Sequence, residues 1–308
     1  MNGWFADTDY DWYRTLAGID ERAGLDEVNF WQPSGGRDFR AIPEGAPFFF
    51  KLKRPHYAVA GFGFFARRSA LPISVAWETF LEKNGAASLE EMRERIARYR
   101  SLAPAEDPAI GCLMIAEPVF LPETAWIRQP ADWPRNVVQG KTYSLLEGEG
   151  RRVWDLCAGY LRAAPLVVGD GTPPPERFGS PALHRPRLGQ GTFRIAVMDA
   201  YARACAITQE HSLPALEAAH IRPYGKRGSH DPSNGVLLRA DLHRLFDKGY
   251  VTITPAYRFQ VSPRLRADWK NGRAYYPLDG KEISVPKRST DRPDAEALRW
   301  HNEAVFLS

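Results

Sequence analysis

Cysteine is scarce in this chain. Cys112, Cys157 and Cys205 are the only three among 308 residues, and so scattered a set gives no disulfide framework. No apolar run approaches the roughly 18 residues of a membrane span, so no membrane partner is expected. The amino-terminal Met-Asn-Gly-Trp-Phe-Ala-Asp lacks a basic start followed by an apolar block. A secretory signal is therefore not expected, and a cytoplasmic protein is. A strong charge of one sign is missing too. The net charge of +4 is too mild to identify a nucleic-acid partner by itself. Internal repeats and low-complexity runs are absent, which leaves an ordinary globular sequence.

What is present suffices for folded cores: 44% hydrophobic and 25% charged residues over a length that suggests two domains. The expected boundaries are 1–145, a helix and Pro-rich linker at 146–180, and 181–308. Residues 1–25 read as a helix carrying Trp4, Phe5, Tyr10, Trp12 and Tyr13. Strands follow at Val28–Pro33, Pro47–Lys53 and Tyr57–Phe65, with Gly61 and Gly63 marking a bulge or close backbone approach. Ile73–Lys83 reads as a helix ended by Asn84-Gly85. Ser88–Tyr99 is a second, with Ser88 and Glu91 as its capping pair. Ile110–Phe120 is an apolar strand, and Gly148–Ala164 a helix joining the halves. Gly169-Asp-Gly-Thr-Pro-Pro-Pro-Glu is a linker by composition. Beyond it come a helix at Thr192–Ala206, a hairpin-like pair at Tyr250–Thr254 and Arg258–Val261, a strand at Lys281–Val285 and a terminal helix at Asp294–Phe306.

The chemistry concentrates between Glu217 and Tyr250. Leu213–Ile221 reads as a strand ending just after His220. Tyr224–Asn234 is a solvated loop, and Gly235–Leu238 packs inward. Asp241 then stands as N-cap of a short helix that puts His243 and Asp247 on one face, one turn apart. Such a pair can reach one metal ion. His220 is a second histidine suited to accept a proton, and Asn234 has the two-sided amide that pins a loop.

The order His220, Asn234, His243 resembles the HNH endonucleases, the ββα-metal nuclease family. Ala-Ala-His-Ile-x-Pro, Ser-Asn-Gly-Val-Leu-Leu and Leu-His-x-Leu-Phe-Asp are similar to its McrA-like, modification-dependent branch. The resemblance is strongest over about Leu188–Arg264 and includes Gly-Gln-Gly-Thr-Phe-Arg at 189–194 and Cys-Ala-Ile-Thr at 205–208. It implies metal-dependent phosphodiester hydrolysis with His220 as general base and Asn234 holding the strand–loop geometry. His243 and Asp247 would hold one Mg²⁺ or Mn²⁺ per site. Arg185, Gln190, Arg194 and Arg222 would then meet the DNA backbone. Two features depart from the family. Ala219 stands where many members carry a His or Asp ligand, with Glu217 two residues upstream as a carboxylate that could assist. The Cys-x-x-Cys structural zinc of many relatives is missing, because Cys205 is alone there.

The first half resembles, more weakly, the PUA-like superfamily with its EVE, ASCH and YTH relatives. The implied fold class is α+β: an N-terminal PUA-like β pseudobarrel with short helices, then a C-terminal ββα-metal HNH nuclease domain. Such domains hold a flipped base in an aromatic-lined pocket. Trp31, Ser34, Trp77 and Asn84 are the candidates to line it, although a tryptophan in a small barrel is more often core than cage. Together the two resemblances imply a modification-dependent restriction endonuclease acting on double-stranded DNA that carries modified cytosine. One HNH site per chain means that cutting both strands takes a homodimer or successive nicks. Two alternatives stay open: an HNH nuclease selecting unmodified DNA or RNA, and a non-catalytic DNA-binding protein.

Overall fold

The computed structural model describes residues 1–36, 38–101, 103, 106–137, 139–163, 183, 184, 187–226 and 228–308. The expected linker lies outside the described residues. The chain divides into two compact units, Met1–Leu188 and Gly189–Ser308. Among the described residues no helix is long and apolar enough to cross a membrane.

The first unit is built on Pro47-Phe-Phe-Phe-Lys-Leu, which forms strand β3 (Pro47–Leu52) with every residue buried. Alternate side chains of a strand point to opposite faces, so β3 feeds two cores. Phe48 and Phe50 pack with Trp12, Tyr13 and Leu16 of helix α1 (Tyr10–Ala23). Phe49 packs on the other side with Phe5, Phe62 and, from helix α4 (Gly148–Ala163), Val153 and Trp154. Each fully buried phenylalanine contributes about 2 kcal/mol of transfer free energy. The helix expected to join the halves thus packs against the first unit's sheet.

Around β3 the described residues form a sheet of seven strands. Strands β1 (Asn2–Thr8), β2 (Glu27–Gln32), β4 (Ala58–Pro72), β5 (Ala109–Phe120) and β7 (Gly140–Ser144) give the order β2-β5-β4-β3-β1-β7. The short β6 (Ile127–Arg128) pairs with β4. The first residues are therefore a strand and not the start of a helix. Asn2–Thr8 runs parallel to β3 and antiparallel to β7, and Phe5 and Ala6 enter opposite cores. β4 is longer than expected, with register shifts at Phe62/Phe64 and Phe65/Arg67 that bend it along β5. Among the described residues no pairing joins β2 to β7, so the sheet is not closed into a barrel by hydrogen bonds. Helices α2 (Ile73–Phe80) and α3 (Leu89–Ala97) sit between β4 and β5 in sequence. Ser88 caps α3 by accepting from Glu91 N, and Glu91 accepts in return from Ala87 N.

The second unit opens with α5 (Gln190–Ala200). It stops well before Ala206 because Ala202 and Arg203 turn left-handed, at φ 52° and 60°. Arg203 N closes the end by donating to Met198 O. Strands β8 (Leu216–His220) and β9 (Gly235–Arg239) form an antiparallel pair with His220 opposite Gly235. Helix α6 (Ala240–Asp247) follows directly. Strands β10 (Val251–Ile253) and β11 (Phe259–Val261), then helices α7 (Arg264–Trp269) and α8 (Ala295–Ala304), complete the unit. Lys281–Val285 is not a strand. Its hydrogen bonds divide between Phe259, Tyr257 and Ala206, so only an isolated bridge from Arg258 to Glu282 forms.

Candidate active site

β8, its loop, β9 and α6 bring His220, Asn234, His243 and Asp247 into one module. The His220 ring stacks on Phe193 of α5, with centroids 3.9 Å apart and planes at 13°. A third histidine, His230, lies 5.2 Å from it, centroid to centroid. Burial, then His230 and His243, push the His220 pKa down to about 4. Its Nε2 is shut off from solvent and has no hydrogen-bond partner among the described residues. The residue as a whole is half-buried.

Asn234 is buried and bonds the loop at both ends, without touching His220 by hydrogen bond. Its Oδ1 accepts from Arg222 N, and its Nδ2 donates to Arg222 O and Ser229 O. Backbone bonds add Ile221 N to Asn234 O. The amide therefore clamps the segment that follows His220.

Asp241 is not the N-cap of α6. Arg239 occupies that position without a side-chain cap bond. It grips the Asp241 carboxylate through two bonds of 2.7 Å, and Tyr275 donates a third. The arginine, chiefly, holds Asp241 below the usual carboxylate range. One turn on, His243 Nε2 is 3.4 Å from Asp247 Oδ2, while His243 Nδ1 is 2.6 Å from Glu217 Oε2. Ala219 is fully buried. Among the described residues no three His, Cys, Asp or Glu side chains gather as a complete metal cage. His243 and Asp247 fit a hard, hydrated cation that keeps water and phosphate oxygens as further ligands.

Of the expected phosphate contacts, Arg185 lies outside the described residues. Gln190 is exposed in the first turn of α5, and Arg194 is half-buried one turn later. Arg222 lays its guanidinium over the Trp300 ring, 5.2 Å from the centroid. His230 and Phe193 were missed as site neighbours. Phe193 stood within a family-like stretch, whereas nothing local marks His230.

The first unit holds a cavity of about 370 Å³. Trp12, Phe30 and Trp31 form its apolar wall, and both indole N–H groups are tied, Trp12 to Asn29 O and Trp31 to Asn84 O. Asp9, Lys53 and Tyr99 form a polar side: Lys53 donates to Asp9 at 2.7 Å and Tyr99 to Asp9 at 2.6 Å. Burial pulls the Lys53 ammonium down, but Asp9 and Tyr99 outweigh it and its pKa ends above the ordinary value. Ser34 also lines the space. Trp77 and Asn84 do not border it. Asn84 is fully buried, donating to Ala76 O and Leu81 O and accepting from Asn29, so its amide is turned into the core and away from any ligand.

Residues 205–254 match the HNH endonuclease family model. Among solved structures, ASCH from Zymomonas mobilis is 14% identical with a TM-score of 0.31, covering 49% of this chain and 94% of that one. The modification dependent TagI restriction endonuclease is 14% identical with a TM-score of 0.27, covering 92% of this chain and 77% of that one. No curated protein matches the chain. The second unit, over residues 205–254, carries an HNH endonuclease segment, and that supports a nuclease.

Proposed function

We propose that this protein is a metal-dependent DNA endonuclease that cuts where its first unit detects a modified base, with modified cytosine as the base class. The carrying observation is the pairing of a histidine held neutral by burial with a histidine–carboxylate pair one helix turn apart, in a single strand–loop–strand–helix module. The supporting observation is the tryptophan-walled cavity of the first unit, large enough for a small ligand.

His220 takes a proton from the water that attacks phosphorus. Phe193 keeps the ring's orientation, and the Asn234 clamp keeps the chain beyond it from drifting. His243 and Asp247 would hold Mg²⁺ or Mn²⁺, since among the described residues no cysteine joins them to select zinc. Such an ion, when bound, offsets the charge that builds on the phosphate and the leaving oxygen. Gln190, Arg194 and Arg222 position the backbone and carry little base information. In the first unit Trp31 provides a stacking face, and the Asp9–Lys53–Tyr99 group an edge of donors and acceptors, for an extruded base. One site per chain makes double-strand cutting the work of two copies or of successive nicks.

The test is plasmid nicking by the full chain with Mg²⁺ or Mn²⁺, on one sequence prepared unmodified, methylated, hydroxymethylated or glucosylated at cytosine. Faster nicking of a modified plasmid, by about tenfold or more, is expected for one flipped-base contact. Equal rates on all four would end the modified-base reading and leave a nuclease. The buried Ala219 at a usual ligand position favours a second reading, a DNA-binding protein without catalysis. No nicking on any substrate with either metal would establish it.

A further inference from the structure

Glu217 stands on β8 on the same face as Ala219, because side chains of a strand alternate. That face meets α6. Ala219 brings only a methyl group there, fully buried, while Glu217 reaches the ring of His243. The simplest substitution for a lost ligand would make Glu217 a metal ligand in place of the residue at 219. The distances argue otherwise.

His243 has two ring nitrogens, and each faces a different carboxylate. Two donors of one octahedral ion, each 2.0–2.1 Å from it and at right angles, lie about 3 Å apart. The 3.4 Å between His243 Nε2 and Asp247 Oδ2 is longer than a good hydrogen bond and leaves the two atoms free to close on a cation between them. The 2.6 Å between His243 Nδ1 and Glu217 Oε2 is too short for it and has the length of a charge-assisted hydrogen bond. A neutral imidazole donates from one nitrogen and accepts or ligates through the other. Glu217 can only accept, so the proton belongs on Nδ1 and the lone pair of Nε2 faces Asp247. Among the described residues Nδ1 has no other hydrogen-bond partner.

We infer that Glu217 is a positioning residue. It fixes His243 in the Nδ1–H tautomer and turns Nε2 toward Asp247 as a donor for a divalent cation. This inference rests on the reading of His243 and Asp247 as metal donors. Outer carboxylates of this sort orient the ring and raise its basicity, and their loss costs 10–100-fold in metal affinity. The Glu217 side chain is 45% exposed, so solvent screens the contact and the effect belongs at the lower end of that range.

Two measurements on the full-length chain decide it. The first is Mn²⁺ affinity by electron paramagnetic resonance for wild type, Glu217→Ala, Glu217→Gln and His243→Ala. Glu217→Ala should weaken Mn²⁺ binding about tenfold, while Glu217→Gln stays within about threefold, its amide oxygen still accepting from Nδ1–H. Equal losses in the two Glu217 variants would make the residue a direct ligand and overturn the inference. The second is the long-range proton–nitrogen spectrum of ¹⁵N-histidine-labelled, metal-free protein, with His243 assigned by its absence from His243→Ala. The proton on Nδ1 in wild type and Glu217→Gln, and a mixture of tautomers in Glu217→Ala, are expected. A proton on Nε2 in the wild type overturns the inference whatever binds. Unchanged Mn²⁺ affinity in His243→Ala would instead sink the metal reading, and the spectrum alone would then decide the role of Glu217.

Discussion

His220 combines two properties that a solvent-exposed histidine lacks: a ring pinned face to face on Phe193, and a pKa pushed down to about 4 by burial and by His230 and His243. A general base must be deprotonated to act, so lowering its pKa extends its working range toward acid. The acid limb of the nicking rate should therefore fall near pH 4, not near the ordinary histidine value of 6.5. An inflection close to 6.5 in a pH–rate profile would show that the base is some other, more exposed group. His220→Ala should cost about 10²–10⁴ in nicking rate, the usual worth of a general base. Duplex binding should change no more than a few-fold, because His220 is not among the side chains proposed to meet phosphate.

Among the elements, the contact of α5 with the β8–β9 pair is set by a glycine. A Cβ at Gly235 would come within 2.4 Å of Val197 Cγ2 and 2.9 Å of Phe193 Cζ. Gly235→Ala should thus destabilise the chain by about 1–3 kcal/mol through overpacking, and by displacing Phe193 it should slow nicking too. Thermal unfolding and the nicking rate check the two halves of that statement; an unchanged melting temperature would mean the helix yields freely. A second element, α8, is held by His301, buried against Phe246 with ring centroids 3.7 Å apart and planes at 11°. Its Nδ1 pairs with Thr252 Oγ1, and its Nε2 with Phe246 O. Since Nε2 can only donate to that carbonyl, the neutral ring accepts from the threonine hydroxyl. Burial pushes its pKa down to about 4, below the 6.5 of an unfolded chain. As pH falls, the unfolded state takes the proton first, so this stability is complete above about 6.5 and is lost on the way to 4. Its full size is on the order of 3 kcal/mol. The melting temperature should drop more steeply between pH 7 and 4.5 in the wild type than in His301→Gln. Parallel slopes would assign the titration elsewhere.

For the whole molecule, the proposed division of labour puts selection in the first unit and cutting in the second. Separate lesions should then separate the functions. Trp31→Ala in the full chain should remove the preference for modified over unmodified duplex, a loss of about 1–3 kcal/mol for one base–aromatic stack, and leave nicking of unmodified plasmid unchanged. His220→Ala should do the reverse, slowing nicking by the same factor of about 10²–10⁴ and keeping the preference in a fluorescence-anisotropy titration. A Trp31→Ala protein that still prefers modified DNA would place the reader outside the cavity.

That His220, Asn234, His243 and Asp247 come close in space was legible in the sequence, because they lie within 28 residues on elements that follow one another directly. Local spacing suffices there: a strand ends, a loop closes, and one helix turn separates the last two. The same holds for the Ser88–Glu91 cap and for the apolar run at Pro47–Leu52, whose neighbours in sequence dictate their state. Asn2–Thr8 was not legible, since what makes it a strand is β3 and β7, far along the chain. Asp9, Lys53 and Tyr99 are spread over 90 residues and meet only when the sheet and α3 are in place. Asn84 illustrates the limit from the other side. An Asn-Gly turn beside aromatic residues looks like a polar pocket wall, yet the fold points that amide inward, where Asn29, Ala76 and Leu81 use its hydrogen bonds. Short-range order of residue types determined which side chains the strand–loop–strand–helix module of the second unit gathers. Which carboxylate meets His243, which ring supports His220 and which tryptophan faces a cavity were decided by long-range packing, because those partners come from elements that no local pattern relates.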